Sequence, residues 1–395
     1  MSTNKPSANK LSANRPIYLD CNATTPVASE VMAVMLPFFT EYFGNPSSLN
    51  HSYGWEAEAG IEKARGLLAG AIAADPTEII FTSGATEANN LAIKGIAEAY
   101  MSEGKHIITV QTEHSAVLEP CRYLEKLGFS VTYLPVQPDG LIDLQGLEEA
   151  FQADTILVSV MAANNEIGVL QPIEQIGEMC HQRNVIFHTD AAQALGKIPL
   201  NVQTMHIDLL SITAHKLYGP KGIGALYVRR KNPRVQLAPQ LHGGGQEKGL
   251  RSGTLYTPQI VGFGEAVRIA VGEMESEAKR LGGLRDRLWQ QLSDLPGIHL
   301  NGHPTQRLPN NLNISFEGVK GSDLLAGVRG AIAISSGSAC SAKNTAPSHV
   351  IRALGRDDTL ARATIRFGLG RSTTLLEVEQ GEKFVCKALK TLREN

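Results

Sequence analysis

What this 395-residue chain lacks narrows its function first. No apolar stretch approaches the roughly 18 residues that cross a bilayer, so no membrane span is expected. Neither sign of charge dominates: 37 Lys plus Arg stand against 39 Asp plus Glu, and a net charge of -2 leaves no electrostatic footprint for nucleic acid. The five cysteines (Cys21, Cys121, Cys180, Cys340, Cys386) are odd in number, scattered, and include no C-x-x-C pair. That excludes a disulfide framework and points to a reducing compartment. Walker A and H-E-x-x-H motifs are missing, and no G-x-G-x-x-G follows an expected strand. His242-Gly-Gly-Gly245 looks like the oxyanion loop of some esterases, but no G-x-S-x-G elbow accompanies it. The first sixteen residues, MSTNKPSANKLSANRP, hold no acid and no secretory apolar core. A flexible tail (1–16) and a cytoplasmic location are expected, with a short organelle-targeting segment as the alternative.

What is present is the pattern of a large α/β protein. Apolar runs at 78–82, 106–110, 130–136, 155–161, 185–189, 209–213 and 224–228 read as strands, with helical stretches between them. Such alternation predicts βαβ units and a mainly parallel sheet covered by helices on both faces. One of those helices begins with Pro172 in its first position and places Ile173, Ile176 and Met179 on one face. After Pro258 the pattern changes. Residues 259–293 read as a long helix interrupted at Gly282-Gly283. Strands follow at 312–316, 331–335 and 363–369, with a helix around 323–328 and a last helix capped by Thr374 and Glu377. The expected division is a large domain over 17–260, its first residues packing with the second, and a smaller α+β domain over 261–395.

The informative side chains lie where strands end, the place open α/β sheets keep their ligands. EIIFT runs into Ser83-Gly84-Ala85-Thr86-Glu87, and a helix start there offers N–H groups and a hydroxyl to an anion, or is simply capped. VIFHT runs into Asp190, and LLSIT runs into Ala214-His215-Lys216. An amine is costly to desolvate, so a lysine directly after an apolar strand needs a reason. Pyridoxal 5'-phosphate (PLP) needs a lysine to bond its aldehyde and an acid to keep its pyridine nitrogen protonated, so that the ring draws electrons from Cα. Two successive strand ends carrying Asp190 and Lys216 fit that need. Lys221 is the rival lysine, in a turn where solvated lysines are routine. His114 follows HIITV, where an imidazole can stack on a cofactor or be a hydrogen-bonded structural histidine. Cys340 sits in a run of Ser, Gly and Ala with few large apolar neighbours, which suits a nucleophile more than a core residue. Cys121, Cys180 and Cys386 lie in helical, apolar settings and read as structural.

The stretches YLDCNATTPV, FTSGATEANNLAIKG, TEHSAVLEP, NNEIGVLQPI, FHTDAAQALGKIP, SITAHKLYGPKGIGALYVRR, GGGQEKGLRSGT, SSGSAC and ATIRFGLGR follow one another in this order. In this the chain resembles the cysteine desulfurases of the NifS/IscS type, over nearly its whole length. The resemblance implies a fold-type-I PLP-dependent architecture, a homodimer, and a reaction that turns L-cysteine into L-alanine while its sulfur passes to Cys340 as a persulfide. It assigns Lys216 to the covalent bond with PLP, Asp190 to the pyridine nitrogen, Gln193 to the ring oxygen and His114 to stacking and proton transfer. Ala85, Thr86, Thr213 and His215 match phosphate-binding positions, and Thr254 matches one that reaches the phosphate of a neighbouring subunit. Asn165 and Arg366 match the holders of the substrate carboxylate. The implied partner is a sulfur acceptor or iron–sulfur scaffold protein. No resident metal is expected, with Cys340 as a candidate transient cluster ligand.

Three departures stand out. Cys21 occupies a position where the family more often has Asn or a similar polar residue, and adds a second thiol near the site. The chain stops at Asn395, where longer relatives continue into a scaffold-docking tail, and its polar N-terminal extension has no assigned counterpart. The alternatives are an aminotransferase, or a lyase acting on cystine or selenocysteine, neither of which needs the SSGSAC thiol. A non-catalytic sulfur carrier would be expected to show cysteine pairs.

Overall fold

The computed structural model describes residues 15–336 and 346–394. Cys340 and its neighbours at 337–345 lie outside the described residues, as do residues 1–14. Twelve strands are described: β1 (Ile17–Tyr18), β2 (Ile79–Thr82), β3 (His106–Val110), β4 (Ser130–Leu134), β5 (Thr155–Ser159) and β6 (Ile186–Asp190), then β7 (Leu209–Thr213), β8 (Gly224–Val228), β9 (Ile298–Leu300), β10 (Asn311–Phe316), β11 (Ile332–Ala333) and β12 (Thr364–Gly368). All seven strands expected between residues 78 and 228 form one sheet in the order β2-β8-β7-β6-β5-β3-β4.

Neighbours from β7 through β4 pair in parallel, while β8 runs antiparallel to both β2 and β7. Strands β2, β3, β5, β6, β7 and β8 are buried along their whole length, as strands of a sheet covered by helices on both faces must be. Strand β4, at the sheet edge, is the partly exposed one and carries Ser130 and Thr132. One face packs under helices Ser52–Ala71 and the first half of Thr257–Ser293, through Leu68, Phe81, Phe187 and Phe263. The other packs under helices Ala85–Ala99 and Ser115–Glu125, through Leu91, Ile96, Val117 and Leu226.

A second, antiparallel sheet of order β12-β10-β9 has its own apolar cluster, including Phe316, Ile365, Phe367 and Val385. Leu19, just after β1, belongs to this cluster. Strand β1 pairs in parallel with β11, and Asp20 bridges to Gly368 of β12. Gly368 is required at that bridge. A Cβ there would sit 2.6 Å from Asn22 Oδ1 and 2.7 Å from its backbone nitrogen.

Three expectations are corrected. The helix Thr257–Ser293 runs unbroken through Gly282-Gly283. Each glycine weakens a helix by about 1 kcal/mol, but Leu281, Leu288 and Leu292 on either side of the pair are anchored in the second core. The same helix gives Phe263 and Val267 to the first core. Pro172 is the cap of helix Ile173–Gln182 and not its first residue, because its ψ of 62° lies outside the helical range. The strand expected at 331–335 shrinks to Ile332–Ala333, since its partner β1 is two residues long. The expected capping box at the last helix is made: Thr374 N donates to Glu377 Oε2 at 2.8 Å, and Glu377 N to Thr374 Oγ1 at 3.2 Å.

Candidate active site

The carboxyl ends of β2, β6 and β7 open on a cavity of about 440 Å³. At one side, β2 passes through Ser83 and Gly84 into helix Ala85–Ala99. Gly84 has φ +148°, which a residue with a Cβ rarely adopts, and this bend turns the helix N-terminus toward the cavity. Ala85 and Thr86 open the first turn, whose N–H groups have no partners within a helix. Thr213, the last residue of β7, lines the same side and donates its hydroxyl to the Ile223 carbonyl at 3.3 Å. His215 follows, hydrogen-bonded through Nδ1 to Thr24 Oγ1 at 3.2 Å. Burial, with the nearby Lys216 cation, pushes its pKa down to about 4, so its ring is neutral at pH 7.

Asp190 closes β6 at the cavity floor, opposite Ser211 of β7 in the ladder. Its Oδ2 accepts from Asn89 Nδ2 at 2.7 Å and its Oδ1 from Ala192 N at 2.9 Å. Both oxygens are thus oriented, and the carboxylate cannot swing away. Beside it, Gln193 Nε2 donates to the Asn22 carbonyl at 2.9 Å, and Gln193 Oε1 accepts from Asn22 Nδ2 at 3.2 Å. Lys216 ends the turn Ala214–Lys216 after β7, and its Nζ donates to the carbonyls of Asn22 and Ala23. Lys221 also reaches the cavity but is exposed, as its turn predicts.

His114 caps helix Ser115–Glu125, its Nδ1 accepting from Ala116 N at 3.1 Å. An accepting Nδ1 places the proton of the neutral ring on Nε2. Burial lowers the His114 pKa, which favours that neutral form. The preceding residue, Glu113, is fully buried, and its Oε1 accepts from Met161 N at 2.7 Å while Oε2 has no partner. Burial drives its pKa well above the ordinary carboxylate value.

The second sheet completes the cavity with Arg366 of β12, 1% exposed. Its Nη1 donates to the Asn165 carbonyl at 2.8 Å and its Nη2 to Asp20 Oδ1 at 2.8 Å. Asn165 lines the cavity next to it. Thus, apart from Thr254 and Cys340, every site residue expected from sequence lines this one cavity. Thr254 is exposed and stands outside it, and Cys340 lies outside the described residues.

Cys21 faces a smaller neighbouring cleft that shares Lys216 and includes Lys197, Tyr218 and Glu277. Burial pushes its thiol up to about 12, so it is protonated at neutral pH and a poor nucleophile. Cys121 and Cys180 are buried in the cores and their thiols are likewise raised by burial. Sequence reasoning missed Asn22, Asn89, Glu113 and Asp20. Asn89 carried a signal: it lies one turn after Ala85, on a helix face otherwise buried and apolar.

The class-V aminotransferase family matches residues 17–380. The chain is 55% identical over 381 residues to the cysteine desulfurase of Mus musculus, covering 96% of this chain and 83% of the relative. It is 54% identical over 384 residues to the cysteine desulfurase IscS of Neisseria meningitidis, covering 97% and 95%. Among solved structures, a NifS-like protein superposes with a TM-score of 0.88 at 40% identity, covering 96% of this chain and all of that one. SspA in complex with cysteine superposes with a TM-score of 0.79 at 41% identity, covering 89% and 98%.

Proposed function

The chain belongs to the class-V aminotransferase family, among its cysteine desulfurases, and from that premise we propose that it converts L-cysteine and the Cys340 thiol into L-alanine and a Cys340 persulfide, using PLP. The observation that carries this reading is the convergence of Asp190, Lys216 and Arg366 on one cavity. Each supplies what one part of the chemistry requires. Arg366 offers a guanidinium to an amino acid's carboxylate, which it can bind through two parallel hydrogen bonds.

The residues present fit PLP. A helix N-terminus with Ala85 and Thr86, flanked by Thr213 and His215, suits the phosphate. Asp190, with both oxygens already oriented by Asn89 and Ala192, suits the pyridine nitrogen. Gln193 would reach the ring oxygen, and Lys216 would bond the aldehyde. Bound there, PLP supplies an electron sink for the bond to the Cα hydrogen. The chain's own groups then move the proton. Lys216, held by the turn at the end of β7, would act as the base, and His114, neutral with its proton on Nε2, would be a second carrier. The closed floor of the cavity, formed by strands buried on both faces, limits water at the reacting carbon.

In the sulfur step the Cys340 thiolate attacks the substrate sulfur. The carbon–sulfur bond breaks, its electron pair stays with carbon, and Cβ takes a proton to give alanine. One S–S bond forms and one C–S bond is lost, so no external oxidant or reductant enters.

Two features belong to the same proposal. Exposed aromatic residues gather on Phe39, Phe43, Tyr53, Trp55 and Tyr256, with Phe39 and Tyr256 ring centres 6.3 Å apart. A patch of this kind suits a second copy of the chain, and the exposed Thr254 lies two residues from Tyr256, so in such a dimer it would serve that copy's site. The persulfide would then pass to a sulfur acceptor, including a scaffold for iron–sulfur clusters. The test is to incubate the purified protein with L-cysteine, quantify alanine, and locate the added sulfur by mass spectrometry. Alanine with one sulfur on Cys340 supports the reading. Sulfur released without modification of Cys340 would replace it with a lyase.

A further inference from the structure

Arg366 is the largest fully buried side chain in the protein's described residues, and a buried guanidinium needs a counter-charge. Among the described residues its ion-pair partner is Asp20, at 2.8 Å, and Asp20 does not line the cavity. Asp20 is fixed from the other side as well: its Oδ2 accepts from Ser335 Oγ at 2.7 Å. Ser335 is in turn tied to Arg366 by backbone hydrogen bonds, Arg366 N to Ser335 O at 2.7 Å and Ser335 N to Arg366 O at 3.3 Å. The carboxylate is therefore clamped against the guanidinium, outside the cavity lining. Arg366 still has N–H groups to offer, since Nη1 and Nη2 each give one of their two hydrogens to Asn165 and Asp20.

We propose that Asp20 is a positioning residue that weakens the site's hold on an α-carboxylate by acting through Arg366. This rests on the reading of Arg366 as the group that binds the substrate carboxylate. Substrate and product are amino acids with the same carboxylate, so a bare guanidinium in a low-dielectric pocket would hold alanine as firmly as cysteine. The fixed negative charge of Asp20 lowers the attraction for both and lets the product leave. It also holds the fork in one orientation, so a weak contact remains a directed one.

Asp20→Asn tests this, because the amide keeps the shape and can still accept from Arg366 while the charge is gone. Calorimetric titration of the cofactor-loaded protein with L-alanine should show binding about tenfold tighter than wild type, the size of a like-charge repulsion across the guanidinium. KM for L-cysteine should fall by a similar factor, with no rise in kcat, as expected for binding shared by ground and transition states. Asp20→Glu restores the charge and should return alanine affinity to within about twofold of wild type. Unchanged or weaker alanine binding in Asp20→Asn would overturn the proposal, leaving Asp20 a structural strut. So would tighter binding in Asp20→Glu, whose charge is intact; that arm stands even if the Asn variant does not fold. Absence of alanine production by wild type would instead sink the desulfurase reading, while the calorimetric comparison still judges Asp20.

Discussion

The two sides of the cavity are built by different means. On the large-sheet side, Asp190 and Lys216 sit at or just after the ends of adjacent parallel strands, and the strand direction alone brings them to one rim. On the small-sheet side, Arg366 lies within β12 and is aimed by contacts with residues far off in sequence. Asp20 is 346 positions away and Asn165 is 201. A strand end tolerates change in the surrounding chain because its position comes from the sheet ladder. A buried side chain held by distant partners moves when any partner changes. The large-sheet side should therefore yield losses confined to chemistry, and the small-sheet side losses and gains in binding.

The largest expected effect is on the large-sheet side. Lys216→Ala should lower alanine formation by about a thousandfold or more, since no neighbouring amine occupies its place. Folding should be preserved, because the hydrogen bonds to the Asn22 and Ala23 carbonyls that are lost lie at the rim of the cavity and outside the apolar cores. Borohydride treatment of wild type followed by peptide mapping should place the cofactor on Lys216, and a cofactor found on Lys221 would break the assignment.

Asp190→Asn comes next, with alanine formation reduced about a hundredfold and cofactor affinity less affected. The amide cannot donate charge to a pyridine nitrogen, yet it fits between Asn89 and Ala192. Near-normal turnover in single-turnover kinetics would make Asp190 a buried cap.

Glu113 belongs to the large-sheet side, where it ties the segment after β3 to Met161 beyond β5. Its folded pKa is raised by burial, whereas the unfolded chain ionises near 4.5. Its contribution to stability is thus fully present below about pH 4.5 and declines as pH rises toward the folded pKa. Glu113→Gln, neutral at every pH, should gain on wild type by up to about 1.4 kcal/mol per pH unit across that window. Urea unfolding from pH 4.5 to pH 8 reads this directly. A constant difference would mean that Glu113 is ionised in the folded protein.

The smallest effect is expected at Cys21, beside Asp20 on the small-sheet side. Cys21→Ala should leave alanine formation and sulfur transfer within about twofold, because burial keeps that thiol protonated. Persulfide mapped to Cys21 in wild type would contradict the separation of the two cavities.

Legibility in the sequence follows the same division. Strands β2 through β8 were readable because each is a short apolar run between helical patterns, and with them the floor residues at their ends. Arg366 was readable through the family resemblance, since nothing in the run ATIRFGL marks its arginine as buried. Asn22, Asn89 and Asp20 were not assigned, although YLDCNATT was recognised as a motif. Their roles rest on hydrogen bonds across 101 to 346 positions, and no periodicity encodes such pairs. Gly282-Gly283 misled for the opposite reason, because local propensity there is overruled by packing in the second core.

By itself the sequence determined the strand content, the mainly parallel sheet, and the placing of a lysine and an aspartate at successive strand ends. These follow from short continuous apolar runs alternating with helical patterns, a local signal of strands covered on both faces. Only the tertiary structure decided that Asp20 stands against Arg366, that Cys21 faces away into a second cleft, and that one unbroken helix serves both cores. Those depend on which distant surfaces meet. Burial raises the cost of every unpaired charge there, so the partners a buried group finds determine its chemistry.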